Sequence, residues 1–202
     1  MRKTLGLTVL VLMPALTASG GEKKEQPANL PIKAKLVANK TTYKLDLGGT
    51  SAEEFKKAVE AADKAGKPLP PAPAVDLAIE LTNVGNGEVK VWVGGDGATL
   101  MMAMGGPGAL GAVYRGPMTQ EFRVPRTVTL APGKSVTIPL KDLSMGPRGT
   151  WRLYWTAPGE YELGASYDTA ISPAPPGSKD AGDGFGRVIL SAGPVKLKVE
   201  GK

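Results

Sequence analysis

Apolar residues recur at every second position over most of the chain after residue 75, a period that predicts β-strands with one buried face. The first such run is Val75–Leu81, and the Asn86-Gly87 pair after it predicts a hairpin turn. Two further strands are predicted near the start of the chain, at Ile32–Val37 and Thr42–Leu47. The later predicted strands are Val89–Val93, Leu100–Met104, Thr127–Leu130, Ser135–Leu140, Trp151–Trp155, Tyr161–Tyr167, Val188–Leu190 and Val195–Val199. About ten short strands at this close spacing predict a mainly β fold, an antiparallel sandwich, rather than alternating β and α units.

One segment departs from this period and predicts an amphipathic helix at about 51–66. Ser51 and Glu54 have the spacing of a capping box, in which each side chain satisfies a free backbone N–H group. Apolar residues then follow at helical spacing, and they are Phe55, Val59 and Ala62. Gly66 is suited to end the helix, and several prolines after it prevent continuation. We expect this helix to pack across an edge or open end of the sheet, and docking onto a partner is the alternative.

The N-terminus has the order of a secretory signal peptide. Arg2 and Lys3 precede the apolar run Leu5–Leu16, and small residues follow it. The run is shorter than the roughly 20 apolar residues of a membrane span, although a membrane anchor or a buried strand is the alternative interpretation. We therefore expect an exported protein, periplasmic or extracellular, with no membrane attachment after signal cleavage. The predicted organisation is a signal peptide at 1–20, a flexible leader at 21–31 and one β-sandwich domain at 32–202.

The composition narrows the function classes. The chain contains no Cys and no His, which excludes disulfides, thiolate metal sites and every catalytic arrangement built on a thiol or an imidazole. No Ser-x-x-Lys dyad follows the predicted signal peptide, and no pair of carboxylates stands out, so we expect no enzymatic activity and no cofactor. The net charge of +6 is spread among mixed charges, without a basic run interleaved with aromatic residues. We therefore expect no nucleic-acid partner.

Two glycine-containing segments resemble nucleotide-binding motifs only superficially. Gly106–Gly111 has the G-x-G-x-x-G spacing, but Pro117 prevents the helix that a dinucleotide site needs, and no acidic residue follows at the required distance. Gly133-Lys134-Ser135 lacks the first glycine of a phosphate-binding loop and leads into a predicted strand. We interpret both segments as turns.

Two groups of residues are candidate metal ligands. Met102 and Met104 lie on one face of a predicted strand, and thioethers are ligands for copper(I), whereas methionine is also an ordinary core residue. Asp180 and Asp183, together with Asp96, lie in predicted loops and carry the oxygens that calcium prefers. Asp-Gly pairs are also ordinary turn formers, so both interpretations of the aspartates stay open.

Aromatic side chains and long loops are the candidate contact surfaces. Exposed Trp and Tyr are typical of sugar and protein recognition, and we select Trp92, Tyr114 and Tyr154 as candidate binding residues. The alternative is that Trp92 packs under the helix while Trp151 and Trp155 fill the sandwich. The two longest predicted loops are Gly105–Gln120, which contains Tyr114, and Ser172–Gly186, which contains both candidate binding aspartates, Asp180 and Asp183.

Three stretches resemble strands of exported bacterial proteins with immunoglobulin-like β-sandwich domains. They are VDLAIELTNVGNGEVKVWV from Val75, LAPGKSVTIPL, and WTAPGEYELGASY with its Pro158–Leu163 approach to a late strand. A more distant similarity is to the bacterial intracellular proteinase inhibitor domain. The resemblance covers roughly residues 75–200 and implies an immunoglobulin-like fold. The expected function is a non-enzymatic binding or accessory module for a protein or glycan partner. A protease inhibitor and a methionine-based copper-binding protein are the alternatives, and no inhibitory residue is transferred.

Overall fold

The computed structural model describes residues 29–119 and 121–201. The predicted signal peptide and most of the predicted leader lie outside these residues. The described part is mainly β, with antiparallel sheets and one α-helix, as the sequence predicts. No helix among these residues is long and apolar enough to cross a membrane.

The described residues contain thirteen strands and one α-helix. The elements are β1 Ile32–Ala38, β2 Thr42–Lys44, α1 Ala52–Ala65, β3 Ala74–Asn83, β4 Val89–Val93, β5 Thr99–Gly105, β6 Ala109–Val113, β7 Arg126–Leu130, β8 Ser135–Asp142, β9 Ser144–Met145, β10 Trp151–Trp155, β11 Gly159–Ser172, β12 Lys179–Gly182 and β13 Phe185–Glu200. A short 3₁₀ turn, Pro147–Gly149, separates β9 from β10.

The strands form three sheets. The first has the order β1-β3-β8, and the second has the order β6-β10-β9. The largest sheet has seven strands, in the order β12-β13-β11-β4-β7, with β5 also paired to β11 and β2 paired to β13. All of these pairs are antiparallel except β2 with β13, which run parallel. The long strands β11 and β13 pair with each other along most of their length. Most of the other strands of the largest sheet pair with one of these two.

One hydrophobic core joins the first and the largest sheet. Ile79 and Leu81 of β3 are fully buried in the same cluster as Leu163 of β11 and Leu197 of β13. Burying each such side chain stabilises the fold by about 1.5–3 kcal/mol relative to leaving it in water. As the period-2 pattern predicts, alternate side chains of β3 are buried, and they fill the space between two sheets.

A second, smaller core lies between α1 and the sheet β6-β10-β9. Val59 of the helix is buried with Ala112 of β6 and Tyr154 of β10, and the Phe55 ring meets the Tyr154 ring edge-on at 5.4 Å. The capping box is confirmed, because the Ser51 hydroxyl accepts from Glu54 N and the Glu54 carboxylate accepts from Ser51 N. The apolar stripe of the helix thus covers the face of the sheet β6-β10-β9 that lies away from the main core.

Both predicted loops contain strands. Within Gly105–Gln120, residues Ala109–Val113 form β6 and pair with β10. Within Ser172–Gly186, residues Lys179–Gly182 form β12 and pair with the start of β13. The prediction of two long loops is wrong where these short segments form strands, because a local pattern does not reveal their pairing partners.

Candidate functional site

An extended segment that follows β6 exposes two large apolar side chains. We call residues Glu121–Pro125 the strap; they belong to no strand and no helix. Phe122 is 66% exposed and Val124 is 79% exposed, the two highest values among the large apolar residues of the described chain. Exposed apolar side chains that lie close together, unlike single scattered ones, are typical of interaction surfaces.

The Arg148 guanidinium connects Asp96 with Thr119 and with Glu121 at the start of the strap. Its Nε donates to Asp96 Oδ1 at 3.3 Å and its Nη2 donates to Asp96 Oδ2 at 2.6 Å. Its Nη1 donates to the hydroxyl of Thr119 at 2.9 Å and to the Thr119 carbonyl, and its Nη2 also donates to the Glu121 carbonyl. A guanidinium has five N–H groups, so every donor of Arg148 is used in this arrangement.

The ion pair is largely shielded from solvent and charged at neutral pH. The Arg148 side chain is 16% exposed and the Asp96 side chain is 20% exposed. The hydrogen bonds from Arg148 and then from the Arg123 N–H group lower the pKa of Asp96, while its partial desolvation acts in the opposite direction. The same pair raises the pKa of Arg148. A bidentate pair of this kind is directional, so it fixes the position of both partners.

The turn between β4 and β5 is shaped to receive the strap. Asp96 N donates to the Arg123 carbonyl at 2.9 Å, and Arg123 N donates to Asp96 Oδ2 at 3.1 Å. Gly95 has a φ of +71°, and a Cβ atom there would lie 2.7 Å from Pro125 Cα and 2.8 Å from the Arg123 carbonyl oxygen. Glycine at this position therefore both permits the turn and leaves room for the strap.

Trp92 lies under this turn rather than on an open surface. A Cβ atom on Gly97 would lie 2.8 Å from the Trp92 ring, and the ring packs on Phe185 with centroids 5.1 Å apart. The ring is half-buried, and the helix packs on Tyr154 instead. The interpretation of Trp92 as a residue under the helix is wrong. Its role in binding stays a prediction, and its observed position is that of a support for the turn.

The other candidate aromatic residues belong mainly to the two cores. Tyr154 is 1% exposed, and its hydroxyl donates to the Pro70 carbonyl at 2.8 Å. Tyr114 is half-buried against the same cluster. Trp155 fills the main core, as predicted, whereas Trp151 is 40% exposed and therefore does not.

The candidate aspartates shape a turn. Asp180 is exposed within β12, and its Oδ1 accepts from Gly182 N at 2.9 Å. Asp183 is exposed in the turn between β12 and β13 and has a φ of +52°. Within residues 29–119 and 121–201, no three acidic side chains form a group that could hold a metal ion. Both aspartates thus shape the local turn, as Asp-Gly pairs commonly do. Ligand binding by the two aspartates stays a prediction.

The candidate methionines point toward the main core. Met102 is buried and Met104 is partly buried against the same cluster. The Met145 sulfur accepts a hydrogen bond from Met102 N at 2.8 Å, so it is already engaged within the chain. Copper binding at Met102 and Met104 stays a prediction.

The strap and its anchor are not among the features that the sequence pattern predicts. The pattern offers Asp96 only as a calcium ligand and assigns no role to Arg148. Two features of the sequence could have indicated them. Asp96 and Arg148 each lie in a glycine-rich turn, GGDG and GPRG, and the charged run EFRVPR contains two isolated apolar residues. No family model matches the chain, and the comparisons with curated proteins and with solved structures also give no match.

Proposed function

We propose that the protein is an exported, non-enzymatic binding module that presents the strap to a protein partner. The observation that carries this proposal is that Arg148 and Asp96 hydrogen-bond to the backbone on both sides of Phe122, whose side chain projects into solvent. Support for export comes from the signal-peptide pattern at 1–20, and support for a non-enzymatic role comes from the absence of Cys and His.

The anchoring of the strap lowers the entropic cost of binding. A flexible loop loses conformational freedom when it docks, and that loss weakens affinity. Here Asp96 and Arg148 fix the backbone of residues 119, 121 and 123 before any partner arrives. Phe122 is thereby offered in a defined position, as is typical of the aromatic anchors that dominate binding energy at interfaces.

The chemistry of the strap specifies the kind of partner. Phe122 and Val124 suit an apolar pocket, and the exposed Arg123 and Arg126 beside them suit an acidic rim. Apolar centres surrounded by charged rims are the common anatomy of protein interfaces. We therefore propose a partner with an apolar cleft bordered by Asp and Glu.

An immunoglobulin-like arrangement of the two main sheets is part of the same proposal. It is supported by the shared core between β3 of the first sheet and β11 and β13 of the largest sheet. In sandwiches of this class the loops at the ends carry recognition while the sheets provide rigidity. The strap, which follows β6 and leads into β7, is such a loop.

A capture experiment with two matched variants tests the proposal. Phe122→Ala removes the proposed anchor, and Val84→Ala removes another large apolar side chain, 46% exposed, from the turn after β3. We expect the parent chain and Val84→Ala to retain the same protein from the exported fraction of the source organism, and Phe122→Ala to lose it. Equal retention by all three chains would show that the strap is not the contact surface.

A protease inhibitor is the second candidate function, and the same anchor favours it. An extended segment enters a protease cleft readily, and a backbone held on both sides of Phe122 resists the movement that follows peptide-bond cleavage. A protease that cleaves after aromatic residues is the target class that Phe122 suits. Tight inhibition with slow hydrolysis after Phe122 would support this function. Rapid cleavage there without inhibition would reject it.

A further inference from the structure

A cavity of about 700 Å³ opens between the start of α1, the chain that follows β2, and the proline-rich segment before β3. We call it the proline–aromatic cavity. Its aromatic lining comes from Tyr43, Phe55, Tyr154 and Trp155, and its proline lining comes from Pro70, Pro71 and Pro73. This volume is within the range of about 300–1,000 Å³ that is typical of small-molecule sites.

The rings of this cavity are packed against one another in fixed positions. The Tyr43 and Trp155 rings lie 5.3 Å apart between centroids, and the Phe55 ring meets Tyr154 edge-on at 5.4 Å. Tyr43, Tyr154 and Trp155 are buried, so most of the accessible ring surface comes from Phe55 and the prolines. Such rings present C–H and π surfaces, which favour other rings. The cavity is therefore formed before any ligand enters it.

The two phenol groups of the aromatic lining already have hydrogen-bond partners within the chain. The Tyr43 hydroxyl donates to the Lys40 carbonyl at 2.8 Å and accepts from Asp76 N at 3.0 Å. The Tyr154 hydroxyl donates to the Pro70 carbonyl, which also accepts from Arg152 Nη1. Neither phenol is left to orient a strongly polar ligand, so recognition in this cavity depends on apolar contact and shape.

The two carboxylates at the mouth of the cavity also accept hydrogen bonds from within the chain. The Glu54 carboxylate accepts hydrogen bonds from Ser51 N and from the Ser51 hydroxyl at the N-terminus of the helix. The Asp46 carboxylate accepts from Gly48 N at 3.0 Å. Lys44, whose charge also contributes to the lowered pKa of Glu200 after the larger effect of Lys198, is the third charged residue of the lining. One cation beside two hydrogen-bonded carboxylates gives the mouth no dominant charge with which to select a charged ligand.

We propose that the proline–aromatic cavity binds a compact, uncharged compound built from aromatic or alicyclic rings. This site is separate from the strap, which is formed by other residues, and the proposal does not depend on the function proposed for the strap. Its ligand class follows from the volume, the ring-lined walls and the internal hydrogen bonds of its phenol and carboxylate groups.

A fluorescence titration with N-phenyl-1-naphthylamine tests the proposal. This probe is uncharged, consists of aromatic rings, and becomes more fluorescent in apolar surroundings. We expect saturable binding to the parent chain and at least tenfold weaker binding to Ala58→Trp, because Ala58 lines the cavity and a larger side chain there fills it. Ala65→Trp is the matched control, since Ala65 is exposed about 10 Å further along the same helix.

The thermal unfolding midpoint of each variant establishes that it folds. If Ala58→Trp does not fold, Thr50→Trp blocks the cavity from another wall and gives the same expectation. Loss of probe binding in a folded blocking variant, with binding retained in Ala65→Trp, supports the proposal. Absence of saturable binding to the parent chain, or undiminished binding to a folded blocking variant, overturns it.

Discussion

Replacing Gly95 by alanine should dislodge the strap, and Gly94→Ala provides a matched control. Both glycines have positive φ angles, +72° for Gly94 and +71° for Gly95. A Cβ atom on Gly94 would meet nothing within 4 Å, whereas one on Gly95 would lie 2.7 Å from Pro125 Cα. The two substitutions therefore share the conformational cost of a positive φ. They differ in whether the added methyl group would collide with the strap.

The geometry sets the size of the expected difference. An alanine in the left-handed region costs about 1–2 kcal/mol, and this applies to both variants. Carbon atoms in favourable contact lie about 3.5–4.0 Å apart, so the strap has to move by roughly 1 Å to admit the new methyl group. Overpacking of this kind costs about 1–3 kcal/mol. We expect the free energy of unfolding to fall by about 2–5 kcal/mol in Gly95→Ala and by about 1–2 kcal/mol in Gly94→Ala.

Urea unfolding measures this difference, and limited trypsin digestion reports on the strap itself. A displaced strap exposes the peptide bond after Arg123, so we expect faster cleavage there in Gly95→Ala than in Gly94→Ala. Equal losses of stability together with equal cleavage rates would refute the reasoning, because the contact between Gly95 and the strap would then have no energetic role.

Three further predictions concern the strap, the smaller core and the helix. The folded-state pKa of Asp96 is lowered, first by Arg148, so its stabilising effect is present above the unfolded value of 3.8 and disappears as the pH falls through the lowered pKa. The protection factor of the Arg123 amide, measured by hydrogen exchange, should therefore decrease only below about pH 4. Tyr154→Phe should lower the urea unfolding free energy by about 0.5–1.5 kcal/mol, because it removes the bond to Pro70. Ser51→Ala should lower it by about 0.5–2 kcal/mol through loss of the helix cap.

Elements with strong local signals could be predicted from the sequence. The strand β3 and the helix α1 each carry their own periodicity, and α1 also carries its capping box. The strands β6 and β12 could not be predicted in the same way. Ala109–Val113 contains small residues and glycine, and it becomes a strand because it pairs with Trp151–Trp155, about 40 residues later.

The candidate site depends on contacts that the sequence pattern does not encode. Asp96 and Arg148 are 52 residues apart, and the arginine also reaches Thr119 and Glu121 from a turn of its own. Trp92 illustrates a different limit. Alternation with Val91 and Val93 places its ring on the opposite face from the valines, but it does not reveal that Phe185 and the Gly97 turn cover that ring.

Site-specific photo-crosslinking tests the central claim most directly. Phe122 is replaced by the photoreactive analogue p-benzoylphenylalanine, which keeps an aromatic ring at the proposed anchor, and Val84 is replaced in a second chain as the control. Each chain is irradiated in the exported fraction of the source organism. We predict a discrete protein adduct from position 122 and none from position 84. Absence of an adduct at position 122, or the same adduct from both positions, would contradict the proposal that the strap is the recognition surface.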